Sequence, residues 1–536
     1  MVKFDEKILI AVWGCHDKYY AVNQWIGPLK SLFKKTITFD PKEQIFTNGK
    51  NNMNAIFLKK VEEEKPDYIL FWLIYDEFYI EIYEKIRKLS PRTKLINFFG
   101  DDDTAFDNIS KYKALFFDYN LVFQIDYLNR YKKEGVRGVF PFIGASTSIY
   151  RPIEASKEYE VVFIGTPKSN RYESIKYLLS NGVNIKIAGA GWEKYPEFAS
   201  IWFGKLTVRQ SVEIINKSKI NLSFTRNYLD KLHFNSRIFE VMASKSFVIS
   251  EYFDGYAKLF KNDKEIVMFK DNKDLLDKIR YYLKNDKERE QIADNGYNRT
   301  LKFFSYQKQL KYIFQKIRLN KSKIKPIKEI KLNVAYLEIQ DIKKNINTLK
   351  KELLNYDYVA FKEKNNISSD VRNFFQILSL LKSKKNISCC DYYIWNKNLG
   401  DYLCFTSFYA FEKSDVFFNK IANPYQIMVE KKYFIDNLES FRRFIQEGKT
   451  LMTKTNTTIV SIPLVKIYSS NFKQKIIYRD NYLVKFENNL TYLLHKKIYL
   501  LPSCVLNLLI YSGQYRLIIL KSLKDILYRF LRKYFL

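Results

Sequence analysis

Three short stretches of the chain hold residue types able to bind an anion or move a proton. The first is NSRIFEVMASKSF, residues 235–247, in which Arg237 and Glu240 stand three apart at the start of an apolar-periodic segment. Asn235 or Ser236 is a suitable N-cap. A helix begun there puts Ile238, Val241 and Met242 on one face and Arg237, Glu240 and Ser244 on another. The free N–H groups and dipole at such a start favour an anion, and a diphosphate placed there would gain Arg237 as a charged donor. Glu240, one turn deeper, is placed to accept from two vicinal ribose hydroxyls, as acidic residues do in dinucleotide-binding folds. A capped surface helix with a plain i, i+3 ion pair, worth a few tenths of a kcal/mol, fits the same residues.

The second stretch is VVFIGTPKSNR, residues 161–171: a strand, a glycine turn and a helix start. Gly165 allows close backbone approach at the strand's carboxyl end, and Lys168 and Arg171 can neutralise a phosphate there. An ordinary turn with solvated basic residues is the alternative. The third is INFFGDDD, residues 96–103, where Asp101, Asp102 and Asp103 close a predicted strand. Adjacent carboxylates repel one another, which raises the pKa of one and suits it to general-base work; a solvated cap cluster is the alternative. His16, after the first strand, is a second candidate base because its intrinsic pKa lies near neutrality, with a purely structural loop histidine as the competing reading.

These residues need elements to hold them. The first ~145 residues alternate short apolar runs (7–14, 66–74, 93–101, 120–126 and 138–143) with helical patterns such as 76–90. Doubly buried strands separated by helices predict a parallel sheet covered on both faces. A polar, Pro-containing linker follows at 146–160. The alternation then restarts: strands at 160–165, 183–191, 219–225 and 264–269, helices at 170–182 and 206–218, and helices from Lys273 to Leu319. Asn170 with Glu173, and Thr207 with Gln210, have capping-box spacing. The predicted fold class is α/β, with two doubly wound Rossmann-like domains, 1–150 and 151–319, facing a cleft. Ligands in such sheets bind at the carboxyl ends of strands. After a basic linker at 320–331, residues 332–490 read as a mixed α/β domain. Residues 491–536 form a tail whose last stretch, 518–536, has Ile519, Leu520, Leu523, Ile526, Leu527, Phe530 and Leu531 on one side of a helical wheel and Lys521, Lys524, Arg529, Arg532 and Lys533 on the other. Such a basic amphipathic helix suits an anionic membrane surface, or packs on a domain with its basic face solvated.

The 536 residues are too many for one core, and 47% hydrophobic and 17% aromatic content excludes a disordered chain. The net charge of +32 points to anionic partners. Abundant Asn, Ile, Phe and Tyr indicate the bias of an AT-rich genome, so part of the lysine is background, and with no stacking motif of RNP type a nucleic-acid partner is not expected. Five cysteines (Cys15, Cys389, Cys390, Cys404, Cys504) without a CxxC pair predict a reduced, cytoplasmic protein. The N-terminus has no signal-peptide layout and no long apolar run predicts a spanning helix.

From about residue 90 to 310 the order and spacing of INFFGDDD, FQIDYLNRYKKEGV, FPFIGASTSIYRP, VVFIGTPKSNR, IKIAGAGW, NSRIFEVMASKSFVISEY and the segment 259–300 resemble the GT-B glycosyltransferases, specifically the CgeB-like (spore-protein) branch of the group 1 glycosyl transferases. The resemblance implies a nucleotide-sugar donor whose ribose meets Glu240 and whose diphosphate meets Arg237, Lys168 and Arg171, with Gly165, Gly189 and Asn235 lining the donor pocket. It implies no cofactor and no metal, since basic side chains and a helix end replace the cation. It also implies transfer to a hydroxyl of a glycan, glycolipid or protein, at the inner face of the membrane if the tail binds there. The chain departs from the pattern twice. Relatives carry a glutamate seven or eight residues before the second one, where this chain has His233 and Leu232; His233 can still hydrogen-bond a sugar hydroxyl. Where relatives have a Gly-rich break, this chain has Ser244, Lys245 and Ser246. The missing first glutamate, together with a degenerate region at 332–490, makes a catalytically inactive transferase-fold scaffold or binding protein at the membrane surface the rival expectation. Residues 356–395 and 423–441 more faintly resemble a family 2 (GT-A) glycosyltransferase, but Lys362, Glu363 and Lys364 stand where Asp-x-Asp belongs, so this region is read as degenerate.

Overall fold

The computed structural model describes residues 3–15, 25–72, 77–227, 230–319, 334–362, 367–368, 372–396, 401–405, 427–447, 451–452 and 456–467. His16 and the amphipathic stretch 518–536 lie outside the described residues. The chain divides into two compact units, the first holding two parallel sheets and the second a mixed sheet.

The first sheet comprises β1 (Phe4–Val12), β2 (Phe33–Phe39), β3 (Tyr68–Trp72), β4 (Lys94–Phe99), β5 (Tyr119–Val122) and β6 (Val139–Pro141), all parallel, in the order β2-β1-β3-β4-β5-β6. Its central strands are buried on both faces, as the continuous apolar runs require. β2 is absent from the strands predicted above. It is the edge strand, FKKTITF, with Lys34 and Lys35 exposed; an edge carries charge and so loses the apolar run that marks its neighbours. The helix expected over 76–90 occupies only Glu81–Leu89.

The second sheet is β7 (Tyr159–Ile164), β8 (Ile185–Ala188), β9 (Ser218–Ser223), β10 (Val248–Glu251) and β11 (Val267–Phe269), parallel, in the order β11-β10-β9-β7-β8. Two such sheets are the architecture of the GT-B fold. Thr207 and Gln210 form the expected capping box at the Val208–Lys217 helix: the Thr207 hydroxyl accepts from the Gln210 N–H at 3.2 Å and the Gln210 side chain accepts from the Thr207 N–H at 2.9 Å. Thr207→Ala is expected to lower stability by about 1 kcal/mol, read as a fall in urea midpoint. The box expected at Asn170 does not form. Asn170 precedes the Arg171–Ser180 helix, but its side chain makes no cap bond; its amide donates instead to Glu251 at 3.1 Å.

The last helix of this unit, Tyr306–Leu319, returns to the first sheet. Ala145 donates to the Phe304 carbonyl and accepts from the Tyr306 N–H, both at 3.0 Å. Phe314 then packs on Phe33 and Tyr68 of the first sheet at ring distances of 4.8 and 5.2 Å. A Cβ on Gly144 would lie 1.9 Å from the Phe304 carbonyl oxygen, so only glycine fits at this crossing. One buried apolar cluster accordingly draws on both sheets.

The second unit is a seven-stranded mixed sheet of β12 (Val334–Glu338), β13 (Tyr358–Lys362), β14 (Ile367–Ser368), β15 (Ile387–Asn396), β16 (Asp401–Phe405), β17 (Ile427–Glu430) and β18 (Thr457–Ile467). Its helix Arg372–Ser383 holds a buried Arg372 that donates to Gln376 at 2.7 Å and to the Ile427 carbonyl at 3.0 Å.

Candidate functional site

The sequence-predicted residues that the structure describes follow the carboxyl ends of β4, β7, β8 and β9. At the end of β7 the backbone turns at Gly165. Its N–H bonds the Ala188 carbonyl at 2.8 Å, and its carbonyl accepts from the Trp192 indole at 2.7 Å. Gly189, at φ +126°, faces it so closely that a Cβ there would stand 2.4 Å from the Gly165 oxygen. The two glycines therefore let the ends of β7 and β8 meet backbone to backbone. Lys168, in the next turn, is exposed. The Arg171 guanidinium donates to the carbonyls of Thr166 (3.2 Å), Phe224 (3.4 Å) and Arg226 (3.1 Å), and its Nε has no hydrogen-bond partner. Burial pulls its pKa below the usual guanidinium value, against the opposing charge of Glu251.

The opening helix runs Ser236–Ala243 with Asn235 at the N-cap. The Asn235 side chain does not cap it. It accepts from Ser223 at 3.3 Å and donates to the Phe224 carbonyl at 3.2 Å, tying the helix start to the end of β9. Arg237 Nη1 lies 2.7 Å from Glu240 Oε2, so the ion pair is present, but Glu240 is only 2% exposed and not on a surface helix. The buried Tyr150 phenol interacts with both residues, and burial followed by the Glu240 charge raises its pKa. Glu240 also acts on the buried Tyr306. The break after the helix is made without glycine: Lys245 adopts φ +54° and pairs with Asp294 at 3.1 Å.

At the end of β4 the three aspartates occupy three environments. Asp101 is exposed at the strand end; desolvation and then the Asp103 charge raise its pKa, while His233 and then Lys168 pull it down. Asp102 is buried, accepts from the Tyr131 hydroxyl at 2.8 Å, and is pushed up to about 7 by burial. Asp103 is buried too; desolvation raises it, but His233 and Asn227 outweigh that and hold it below the usual value. His233 Nδ1 is 3.3 Å from Asp103 Oδ2, and the Asn227 amide donates to the same oxygen. Gln124 beyond β5 adds a second tie, donating to the Phe234 carbonyl and accepting from its N–H, both at 2.9 Å. Asp103 thus faces the loop that leads into the Ser236 helix.

Sequence reasoning missed Glu251, the last residue of β10 and 5% exposed. Its carboxylate collects the side chains or backbone of Thr225, Arg226 and Asn170. The available signal was an acid closing the apolar run FVIS. Among the described residues no group of three or more His, Cys, Asp or Glu side chains is placed to hold a metal ion, and no helix is long and apolar enough to cross a membrane.

Comparison with known proteins places residues 171–315 in a match to the sequence model of the family described as Glycosyl transferase-like. A search among curated proteins returns no match. Similar solved structures include Anabaena HepE in complex with UDP and glucose (12% identity, TM-score 0.44, covering 59% of this chain and all of that one). They also include a glycosyltransferase from Rickettsia africae (13%, 0.43, 60% and 100%) and the sucrose-phosphate synthase of Thermosynechococcus elongatus (12%, 0.41, 58% and 98%).

Proposed function

We infer that this chain is a nucleotide-sugar-dependent glycosyltransferase. The observation that carries the reading is the convergence of a basic turn after β7 and a buried acid–base helix start after β9 on an acidic strand end from the opposite sheet, with His233 and Asn227 meeting Asp103. Glu240 accepts from the donor ribose. Lys168 and Arg237 take the diphosphate, Arg237 exchanging part of its pairing with Glu240 for phosphate oxygens. Arg171 holds the carbonyls beneath the same turn. No metal or cofactor is assigned, because the helix start and the basic side chains meet the leaving charge.

In the reaction an acceptor hydroxyl oxygen bonds to the anomeric carbon, the bond from that carbon to the diphosphate oxygen breaks, and the nucleoside diphosphate leaves with the electron pair. The hydroxyl proton passes to a carboxylate, for which Asp101 is the accessible candidate. Asp103, tied to His233 and Asn227, positions the two sides. Exclusion of water protects the donor from hydrolysis. The acceptor class is a glycan, glycolipid or protein hydroxyl, the setting is the cytoplasm or the inner membrane face, and the chain sits in the CgeB-like branch on the motifs quoted above. The second unit is read as a GT-A-like remnant without its own reaction.

Thermal shift with nucleoside diphosphates and nucleotide-sugars tests this. A ligand at one hundred times its Kd should add about 2.7 kcal/mol of stability. Release of nucleoside diphosphate from the stabilising nucleotide-sugar is the second expected result. Binding without turnover would support the scaffold reading, which the self-paired Arg237 and Glu240 favour; no binding at all would sink both.

A further inference from the structure

The carboxylate of Glu251 sits at the end of β10 and reaches across the ends of its two next neighbours, β9 and β7. Oε2 accepts from the Thr225 N–H at 3.0 Å and the Thr225 hydroxyl at 3.2 Å. Oε1 accepts from Arg226 Nε at 2.7 Å and the Asn170 amide at 3.1 Å. Three of these four partners can only donate, so a carboxylate satisfies them and a neutral amide cannot.

A second set of contacts continues the tie. Arg226 Nη1 lies 3.3 Å from Asp230 Oδ2, and Asp230 Oδ1 accepts from the Ser169 hydroxyl at 2.5 Å. Because Ser169 adjoins Asn170, the contacts close a ring that joins the turn after β7 to the turn after β9. Ser169 and Asp230 both have left-handed backbones, at φ +54° and +59°, without being glycine; such conformations persist where their surroundings fix them. Arg171 completes the arrangement from the other side. It gathers carbonyls of the same two turns while Glu251 gathers their donors.

We propose that Glu251 is a positioning residue that holds the turns after β7 and β9 in the one conformation able to take the donor's diphosphate. The proposal rests on the glycosyltransferase reading above and adds a residue to it. Glu251 is walled off by Thr225, Arg226 and Asn170, so it acts through them and touches no substrate. Its removal should therefore weaken the phosphate part of the ligand and spare the nucleoside part.

The test measures Kd by calorimetry for UDP, GDP, ADP, CDP and dTDP, and for the nucleoside of whichever diphosphate binds, on the full chain and on Glu251→Gln. Wild type should bind one diphosphate far more tightly than its nucleoside. In Glu251→Gln the diphosphate should bind about tenfold more weakly, the loss expected when a charge-assisted hydrogen bond is broken, with nucleoside affinity unchanged. Equal diphosphate affinity in the variant overturns the proposal while leaving the donor-site reading standing. Equal losses for nucleoside and diphosphate also overturn it, because they report general loosening. No diphosphate binding in wild type overturns both readings. If Glu251→Gln does not fold, Thr225→Val and Asn170→Ala each remove one partner and keep the carboxylate. Each should then weaken the diphosphate by about threefold, and no change in either overturns the proposal.

Discussion

Glu240→Gln is expected to lower glycosyl transfer about a hundredfold while the protein stays folded. Hydrogen bonds from two ribose hydroxyls to a carboxylate contribute about 1.5–3 kcal/mol each against about 1 kcal/mol for a neutral acceptor, so the pair loses about 1–4 kcal/mol, a range centred near two decades. Glutamine preserves the volume and one acceptor oxygen, so the buried site is not hollowed out, unlike Glu240→Ala, which would leave Arg237 without its 2.7 Å partner. Rates of nucleoside diphosphate release, compared at equal folded concentration by circular dichroism, give the answer. Activity within twofold of wild type would remove Glu240 from the donor site and leave the pair with Arg237 as a structural bond between the helix and Tyr150.

A second large effect should come from Asp102, through stability. Its folded pKa stands at about 7 against an ordinary 3.8. Below the ordinary value both folded and unfolded chains hold the proton, and the folded form bears no penalty. As pH rises the unfolded chain ionises first, so the folded state loses stability continuously until about pH 7, after which the loss is constant. Between pH 5 and 8 this amounts to about 3 kcal/mol. Asp102→Asn keeps an acceptor for the Tyr131 hydroxyl and has nothing to ionise. The urea midpoint of wild type should therefore fall relative to the variant as pH is raised from 5 to 8, with the variant the more stable at pH 8. Parallel pH profiles would show that Asp102 is ionised throughout. Neither outcome bears on Asp103, whose pairing with His233 and Asn227 keeps it charged.

The sequence carries the two parallel sheets because doubly buried strands write themselves as unbroken apolar runs. FFG after LIN and VFIG after EV are such runs, and β4 and β7 occupy them. The Thr207 box is legible for a similar reason, since both partners are three residues apart. The unread features are those decided by distant partners. Asn170 has the composition of a cap, yet a carboxylate 81 residues away takes its amide. Glu251 looks like an ordinary strand end until the turns of β7 and β9 fold over it. Arg171 reads as a phosphate ligand by type and place, and its contacts with three carbonyls from two turns had no local signal. The three aspartates are identical in sequence and differ only in what surrounds them. The return of Tyr306–Leu319 to the first sheet has no local signal either, because an amphipathic helix does not say which sheet it covers.

That return sets where the chain can be cut. A fragment ending at 150 would lack the helix that roofs Phe33 and Tyr68, and a fragment spanning 151–319 would carry Leu310, Ile313, Phe314 and Ile317 into water with nothing beneath them. Both pieces would be sticky for the same reason. A soluble half-molecule would have to borrow residues 304–319 for the amino-terminal portion, by a permuted or spliced gene, and surrender them from the other.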